Sequence, residues 1–140
     1  MEPSVWGPCV WRGAVHMIAL GYPDIPTPID KVTYKAYYSE LWKVLPCGKC
    51  SVNYKRHLEE LPIDGFLGSK MQLFEWTVRL HNIVNKELRK PEYTVQDALK
   101  MYMGGAIETK SKGWVGVSVV GVLAALVLLA LVFAMRKMSR

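Results

Sequence analysis

The stretch LPCGKCSVNYKRHLEEL, residues 45–61, places two cysteines three positions apart, between a proline and an amphipathic helix. Proline does not continue a helix, so Pro46 is expected to end one helix and to leave Cys47 at the start of the next. A thiol at a helix N-terminus has its thiolate stabilised by unpaired amide groups and by the helix dipole. Cys47 is therefore the better placed of the two sulfurs to attack or to be attacked, and Cys50 follows one turn later.

Cys-x-x-Cys spacing lets two sulfurs meet within one helical turn, so the pair can form a disulfide or share a metal ion. Zinc would need further ligands from His57, His81 or Cys9, and these residues are scattered along the chain rather than clustered. A purely structural disulfide across two residues would stabilise little, because so short a loop hardly constrains the unfolded chain. These considerations favour a redox role, although a helical chain does not offer the βαβ setting of thioredoxin.

Apolar periodicity predicts an all-α head, with no run of alternating β-branched residues that would form a sheet. A first helix is expected from Pro8 to Leu20, before the helix-breaking GYPDIPTP segment. A second is expected to start after Asp30 as its N-cap and to continue to the proline at 46. Its predicted core-facing residues are Val32, Ala36, Leu41, Val44 and Leu45.

The cysteine segment forms the third predicted helix. A fourth is expected to start at Ser69, with Gln72 at the spacing of a capping box, and to run to residue 90. Its predicted core residues are Leu73, Trp76, Leu80, Ile83, Val84 and Leu88. A short fifth helix is expected to open at Thr94, with Asp97 three residues on, and to fade at Gly104. Four longer helices and a short fifth are typical of a four-helix bundle.

The segment 114–134, WVGVSVVGVLAALVLLALVFA, contains no charged residue and is long enough to cross the hydrocarbon core of a bilayer. A buried core helix is the weaker interpretation, because so small a head could hardly cover it on all sides. The predicted organisation is a head over 1–108, a linker over 109–113, the membrane helix and a basic tail over 135–140. A span this close to the C-terminus clears the ribosome only after synthesis ends, so we expect a tail anchor with the head in the cytosol.

The formal net charge of the 140-residue chain is +6, and no run of Lys and Arg forms a phosphate-binding stripe. A nucleic-acid partner is therefore not expected. The basic residues on the two sides of the predicted span do not settle its orientation by the positive-inside rule. They are Lys110 and Lys112 before it, and Arg136, Lys137 and Arg140 after it.

Three separated signatures together resemble the FAD-linked sulfhydryl oxidases of the Erv/Alr family. They are WGPCVWRGAVHMIALGYP from Trp6, LPCGKC from Leu45, and HNIVNKEL from His81, and the resemblance extends to Tyr102. It implies a four-helix bundle with a short fifth helix, which holds FAD beside the cysteine pair and dimerises. With no cysteines for a shuttle pair or a second structural disulfide, the chain resembles the minimal single-domain members, including those of large DNA viruses. An internal membrane of a virus or its host would then be the expected location.

The resemblance places Cys50 against the flavin and gives Cys47 the disulfide exchange with the substrate. The other cofactor-binding positions that it implies are Trp11, His16, Tyr22, His81, Asn82, Val84, Asn85 and Lys90. No metal is implied. Members of the family usually have tryptophan four residues before the histidine of the first signature, whereas five residues separate Trp11 from His16 here.

The implied activity is the oxidation of dithiols to disulfides, with electrons passing through FAD to molecular oxygen and yielding hydrogen peroxide. Besides the redox pair the chain has only Cys9, so the expected partner is a separate protein dithiol or thioredoxin-like substrate. We interpret Cys9 as a buried small hydrophobe, with an intersubunit bridge as the alternative. The alternative function is that of a membrane-anchored, non-enzymatic helical adaptor whose cysteines bind zinc or staple a turn.

Overall fold

A computed structural model of the chain describes residues 1–102, which fold into helices and short connections without a strand. Met1–Gly105 forms a compact unit. The predicted linker, membrane helix and tail lie outside the described residues, as does the glycine at which the fifth helix was expected to fade. Within residues 1–102, no helix is both long enough and apolar enough to cross a membrane.

The first helical run consists of α1 (Pro3–Cys9), a π-helical segment (Val10–Met17) and α2 (Ile18–Leu20). Its predicted end at residue 20 is confirmed, but it begins five residues earlier than predicted, because a proline is well tolerated in the first turn. Pro8 lies inside α1 and has no N–H to donate, and the π segment follows directly after Cys9. Residues in a π segment bond to a partner five positions away, which makes each turn one residue wider than in an α-helix.

The second predicted helix is α3 (Pro28–Glu40), continued by a 3-10 turn over Leu41–Val44. Its N-cap is Thr27, so the prediction of Asp30 as N-cap is wrong by three residues. The Asp30 amide donates to the Thr27 hydroxyl over 3.2 Å, and the Asp30 carboxylate accepts from the Thr27 amide at 2.8 Å. Asp30 is thus the third-position partner of a capping box.

The buried face of α3 is made mainly of tyrosines. The hydroxyl of Tyr38 donates to the carbonyl of Val15 over 2.8 Å, and that of Tyr37 donates to the carbonyl of Ala14 over 2.7 Å. Both acceptors lie in the π segment, so these bonds fasten α3 to the first helical run. Leu41 is buried as predicted and Leu45 packs against the core, but three predicted core residues are exposed: Val32, Ala36 and Val44. Helix α3 has two apolar faces, and the face that carries the tyrosines is buried, whereas the face that carries Val32 and Ala36 is exposed.

The remaining helices are α4 (Gly48–Glu60), α5 (Lys70–Glu87) and α6 (Val95–Lys100), with a 3-10 turn over Ile63–Phe66 between α4 and α5. The predicted starts are confirmed, since the hydroxyl of Ser69 accepts from the third amide of α5 and that of Thr94 from the third amide of α6. Helix α5 is central: it packs against the first helical run, α4 and α6. It buries Leu73, Phe74, Trp76, Thr77, Val78, Leu80 and Asn85.

Helix α5 ends three residues before the predicted position. The amide of Lys90 donates to the carbonyl of Asn85 over 2.8 Å, and the amide of Arg89 donates to the carbonyl of Lys86 over 3.1 Å. Arg89 has a φ of 54°, the left-handed conformation of a Schellman cap. Because this cap turns the chain, Leu88 is exposed rather than in the core as predicted.

Candidate functional site

Cys47 and Cys50 form a disulfide at the N-terminus of α4, with their Cα atoms 5.2 Å apart. Cys47 is the N-cap residue, and its sulfur accepts from the amide of Cys50 over 3.2 Å. This is the position in which a thiolate is stabilised by a backbone amide and the helix dipole. Both residues are half-buried, so the disulfide is open to exchange with another thiol. No group of three possible metal ligands gathers anywhere in residues 1–102.

The two cysteines hold different positions in α4: Cys47 is its N-cap residue, and Cys50 lies in its first turn. Cys50 shares a helical face with Tyr54 and His57, which follow at four and seven residues and are both buried. The Tyr54 hydroxyl donates to the carbonyl of Tyr38 over 3.3 Å, and His57 Nε2 lies 3.0 Å from a carboxylate oxygen of Glu87 in α5. Cys50 therefore lies on the side of α4 that faces α3 and α5, whereas Cys47 caps the N-terminal end of the helix.

A second group of chemically active side chains lies where the first helical run meets α5. His16 is buried, and its Nδ1 lies 2.9 Å from the hydroxyl oxygen of Thr77. Its Nε2 lies 3.0 Å from Nδ1 of His81. We call His16, Thr77 and His81 the histidine cluster; two of its members were predicted as cofactor-binding residues.

Trp11 covers the histidine cluster. Its ring stacks on that of His81, with centroids 4.2 Å apart and planes within 5° of parallel. The ring centroids of Trp11 and His16 are 6.0 Å apart. Both residues lie in the π segment, whose wider turn brings residues five apart onto one side. The five-residue spacing that departs from the family pattern is therefore accommodated, and Trp11 is one wall of the cluster.

Burial keeps the histidine cluster neutral. Desolvation, reinforced by the neighbouring His81, lowers the pKa of His16 to about 3. Desolvation and the positive charge of Lys90 lower the pKa of His81 to about 4. At neutral pH the imidazoles act as neutral hydrogen-bonding rings, and Lys90, which is exposed, carries the nearby positive charge.

The two asparagines of α5 have different surroundings. The side-chain amide of Asn82 donates to the carbonyl of Tyr93 over 2.8 Å, and its oxygen accepts from the amide of Tyr93 at 2.9 Å. These two bonds fix the backbone at Tyr93, in the segment that follows α5, against the Asn82 side chain. Asn85 is buried, and its Nδ2 has no hydrogen-bond partner within the described residues. An orphaned buried donor of this kind is what a bound ligand can satisfy. Val84 beside it is half-buried.

Tyr22 lies in the core rather than in the histidine cluster. It is fully buried, its hydroxyl donates to the carbonyl of Leu67 over 3.1 Å, and its ring contacts Tyr34 edge-on. Its predicted contact with a cofactor stays a prediction. One surface depression, of about 520 Å³, contains none of the predicted site residues, whereas another, of about 290 Å³, includes Asn82.

Sequence reasoning missed Thr77 and Tyr102. The ring of Tyr102 lies 6.3 Å from that of His16, and its hydroxyl donates to the carbonyl of Arg12 over 3.2 Å. A signal for Thr77 did exist, because it lies four residues before His81 on the same helical face.

Cys9 is exposed, so its interpretation as a buried hydrophobe is wrong. Its neighbour Gly7 is buried, whereas Cys9 lies on the outer side of the first helical run.

A helical domain with an open Cys-x-x-Cys disulfide at a helix N-terminus defines a thiol–disulfide redox protein that does not use the thioredoxin fold. Comparison with known proteins identifies the family: the model of the Erv1/Alr family matches residues 9–103. The chain therefore belongs to the Erv1/Alr family.

Individual relatives agree with this assignment. The chain is 41% identical over 101 residues to a probable FAD-linked sulfhydryl oxidase of Acanthamoeba polyphaga mimivirus, a match that covers 71% of this chain and 70% of the relative. The crystal structure of the yeast Erv1 core matches with a TM-score of 0.68 and 27% identity, over 75% of this chain and 86% of that one. The FAD-binding domain of Erv1 from Saccharomyces cerevisiae matches with a TM-score of 0.66 and 27% identity, over 73% and 94% of the two chains.

Proposed function

We propose that the chain is an FAD-linked sulfhydryl oxidase, which converts pairs of thiols in a protein substrate into disulfides. The observation that carries the proposal is the half-buried Cys47–Cys50 disulfide at the N-terminus of α4, in which Cys47 is the N-cap residue and Cys50 shares a helical face with the buried Tyr54 and His57. It occurs in a chain of the Erv1/Alr family whose relatives are named FAD-linked sulfhydryl oxidases. The adaptor alternative is not favoured, since neither family nor relatives support it.

The residues of the site fit FAD. The orphaned Nδ2 of Asn85 is a donor for an oxygen or nitrogen of the cofactor, and the stacked rings of Trp11 and His81 supply a flat surface for a ring system. Lys90 supplies a positive charge suited to the pyrophosphate. When bound, FAD supplies a two-electron acceptor for the cysteine pair, and molecular oxygen is the proposed final acceptor. Contacts from His16, Tyr22, Asn82, Val84 and Cys50 complete the proposed binding set.

The chain's own step is thiol–disulfide exchange. A substrate thiolate attacks the sulfur of Cys47; the Cys47–Cys50 bond breaks, and Cys50 leaves as a thiolate. The second substrate thiol loses its proton and attacks the substrate sulfur of the mixed disulfide, which releases Cys47 as a thiolate stabilised by the Cys50 amide. The substrate is then a disulfide, and the two electrons remain on the cysteine pair.

A homodimer is part of the proposal. Ile29, Val32 and Ala36 follow one another at helical spacing on the exposed side of α3, opposite its tyrosines. Such an apolar stripe favours a protein contact, and the family resemblance points to a second copy. Val32→Glu should shift the protein from dimer to monomer in sedimentation experiments, whereas Val52→Glu, at an exposed position of α4, should not.

We also propose that residues 114–134 anchor the protein in an internal membrane, with the head on the cytosolic side. The support is the uncharged length of this segment. Protease treatment of intact vesicles should digest the head and leave the segment protected. Protection of the head would contradict the cytosolic placement.

Two measurements on the purified full-length chain test the activity. The protein should be yellow with bound oxidised flavin, and it should consume a protein dithiol while producing hydrogen peroxide. A colourless protein that is folded and contains zinc would support the adaptor alternative instead.

A further inference from the structure

A chain of hydrogen bonds links the backbone of α5 to both histidines of the histidine cluster. Thr77 is fully buried, and its hydroxyl donates to the carbonyl of Phe74 over 2.6 Å. The same hydroxyl oxygen lies 2.9 Å from Nδ1 of His16, and Nε2 of His16 lies 3.0 Å from Nδ1 of His81. Each contact needs one proton between its two heavy atoms, and the position of each proton can be deduced in turn.

The first proton is fixed by the carbonyl of Phe74. A carbonyl oxygen only accepts, so the single hydroxyl proton of Thr77 points toward it. The Thr77 oxygen can then only accept from His16, and Nδ1 of His16 must carry its proton. The opposite arrangement would set two lone pairs 2.9 Å apart at a fully buried site, at the cost of an unsatisfied polar pair.

The second proton follows from the neutrality of His16. A neutral imidazole has one N–H, and His16 uses it on Thr77, so its Nε2 is an acceptor. His81 must therefore donate from Nδ1, which leaves the lone pair on its own Nε2. The low pKa of His16, about 3, rules out the doubly protonated ring that would relax this constraint at neutral pH.

We propose that Thr77 is a positioning residue, which through His16 fixes His81 in the Nδ1–H tautomer so that Nε2 of His81 accepts a hydrogen bond from the bound cofactor. The cofactor part rests on the proposed function, whereas the tautomers rest on the hydrogen bonds within the chain alone.

In this arrangement each ring nitrogen of His81 has one defined hydrogen-bonding role: Nδ1 donates and Nε2 accepts. Trp11 stacks on the His81 ring and holds its plane, and the bond from Nδ1 to His16 fixes the rotation of that plane. Nε2 is then a fixed acceptor. FAD has suitable donors in its adenine amino group and its sugar and ribityl hydroxyls. The opposite tautomer would offer an N–H to the same groups and would exclude a donor such as the amino group.

Nitrogen NMR of the histidine rings in the full-length protein tests the tautomers, with and without added FAD. The chain has three histidines, so single substitutions assign each ring. We expect Nδ1 to be protonated in both His16 and His81 at neutral pH. An Nε2–H tautomer of His81 in the unsubstituted protein would overturn the proposal without any variant.

Thr77→Val keeps the shape of the side chain and removes the acceptor, and Thr77→Ser is the matched control that keeps the hydroxyl. We expect Thr77→Val to release both rings into mixed tautomers and to weaken FAD binding about tenfold, the effect of one net hydrogen bond. Thr77→Ser should retain the tautomers and bind FAD within about twofold of the unsubstituted chain.

Two outcomes would overturn the assignment: unchanged tautomers in Thr77→Val, or changed tautomers with unchanged FAD affinity. Failure of the unsubstituted chain to bind FAD would overturn the proposed function and the cofactor part with it, while the ring spectra would still decide the role of Thr77.

Discussion

The disulfide of α4 and the histidine cluster of α5 are built in opposite ways. The disulfide joins residues three positions apart, is half-buried, and depends on the start of one helix. The histidine cluster joins residues 61 and 65 positions apart, is largely buried, and depends on the packing of the first helical run on α5. The two sites therefore suit different tasks: the disulfide is accessible to a substrate, whereas the histidine cluster is a largely buried, hydrogen-bonded arrangement suited to a ligand.

The largest expected effect falls on the accessible site. Cys47→Ser or Cys50→Ser should abolish thiol oxidation, because either change removes one sulfur of the only described disulfide in residues 1–102. Oxygen consumption with a protein dithiol measures this. Cys9→Ser is the control and should retain most activity; loss of a disulfide-linked dimer on a non-reducing gel would reveal an intersubunit bridge.

Asn85→Leu should weaken FAD binding about tenfold, because it removes the Nδ2 donor that is proposed to form a hydrogen bond with the cofactor. The free energy of unfolding without FAD should change little, since the substitution also removes a buried unsatisfied group. Flavin titration and urea unfolding measure the two quantities. A large loss of stability with unchanged FAD affinity would make Asn85 a structural residue.

Acid should act through the histidine cluster. The folded pKa values, about 3 for His16 and about 4 for His81, lie below the ordinary 6.5, so the unfolded chain binds protons first. The stabilisation that comes from keeping the two histidines neutral is therefore present above pH 6.5, and it is lost as the pH falls toward about 4 for His81 and about 3 for His16. Each histidine contributes a slope of up to about 1.4 kcal/mol per pH unit.

Urea unfolding at several pH values measures this slope, and His81→Gln should make it about half as steep between pH 6.5 and 4.5. An unchanged slope in that variant would mean that His81 is not held neutral by the fold.

The smallest expected effect concerns the end of α5. Arg89 adopts a positive φ, which favours glycine, so Arg89→Gly should raise the free energy of unfolding by about 0.5 to 1 kcal/mol. Thermal unfolding measures this, with Arg79→Gly in the middle of α5 as the destabilising control. A lower free energy of unfolding in Arg89→Gly would mean that the Arg89 side chain stabilises the protein by more than its positive φ costs.

The sequence predicted those features that depend on neighbouring residues. The starts of α4, α5 and α6 follow from Cys47, Ser69 and Thr94, whose side chains cap the amides three positions on. The accessible disulfide follows from the same local pattern.

Features that depend on distant partners were not predictable in the same way. The tyrosine face of α3 is buried because distant carbonyls in the π segment accept its hydroxyls. The role of Thr77 depends on its contact with His16, which is 61 positions away in the sequence and is brought close only by the fold. In the π segment, residues five positions apart, such as Trp11 and His16, lie on one side of the helix. In an ordinary α-helix, which the sequence predicted here, they would not.

The visible spectra of Cys47→Ser and Cys50→Ser test most directly whether the Cys47 sulfur exchanges with the substrate and the Cys50 sulfur contacts the flavin. In Cys47→Ser, we expect a long-wavelength charge-transfer band from a free Cys50 thiolate beside oxidised FAD. In Cys50→Ser, we expect no such band, and a substrate trapped on Cys47 as a mixed disulfide. A band in the Cys50 variant but not in the Cys47 variant would mean that the two cysteines have the opposite roles.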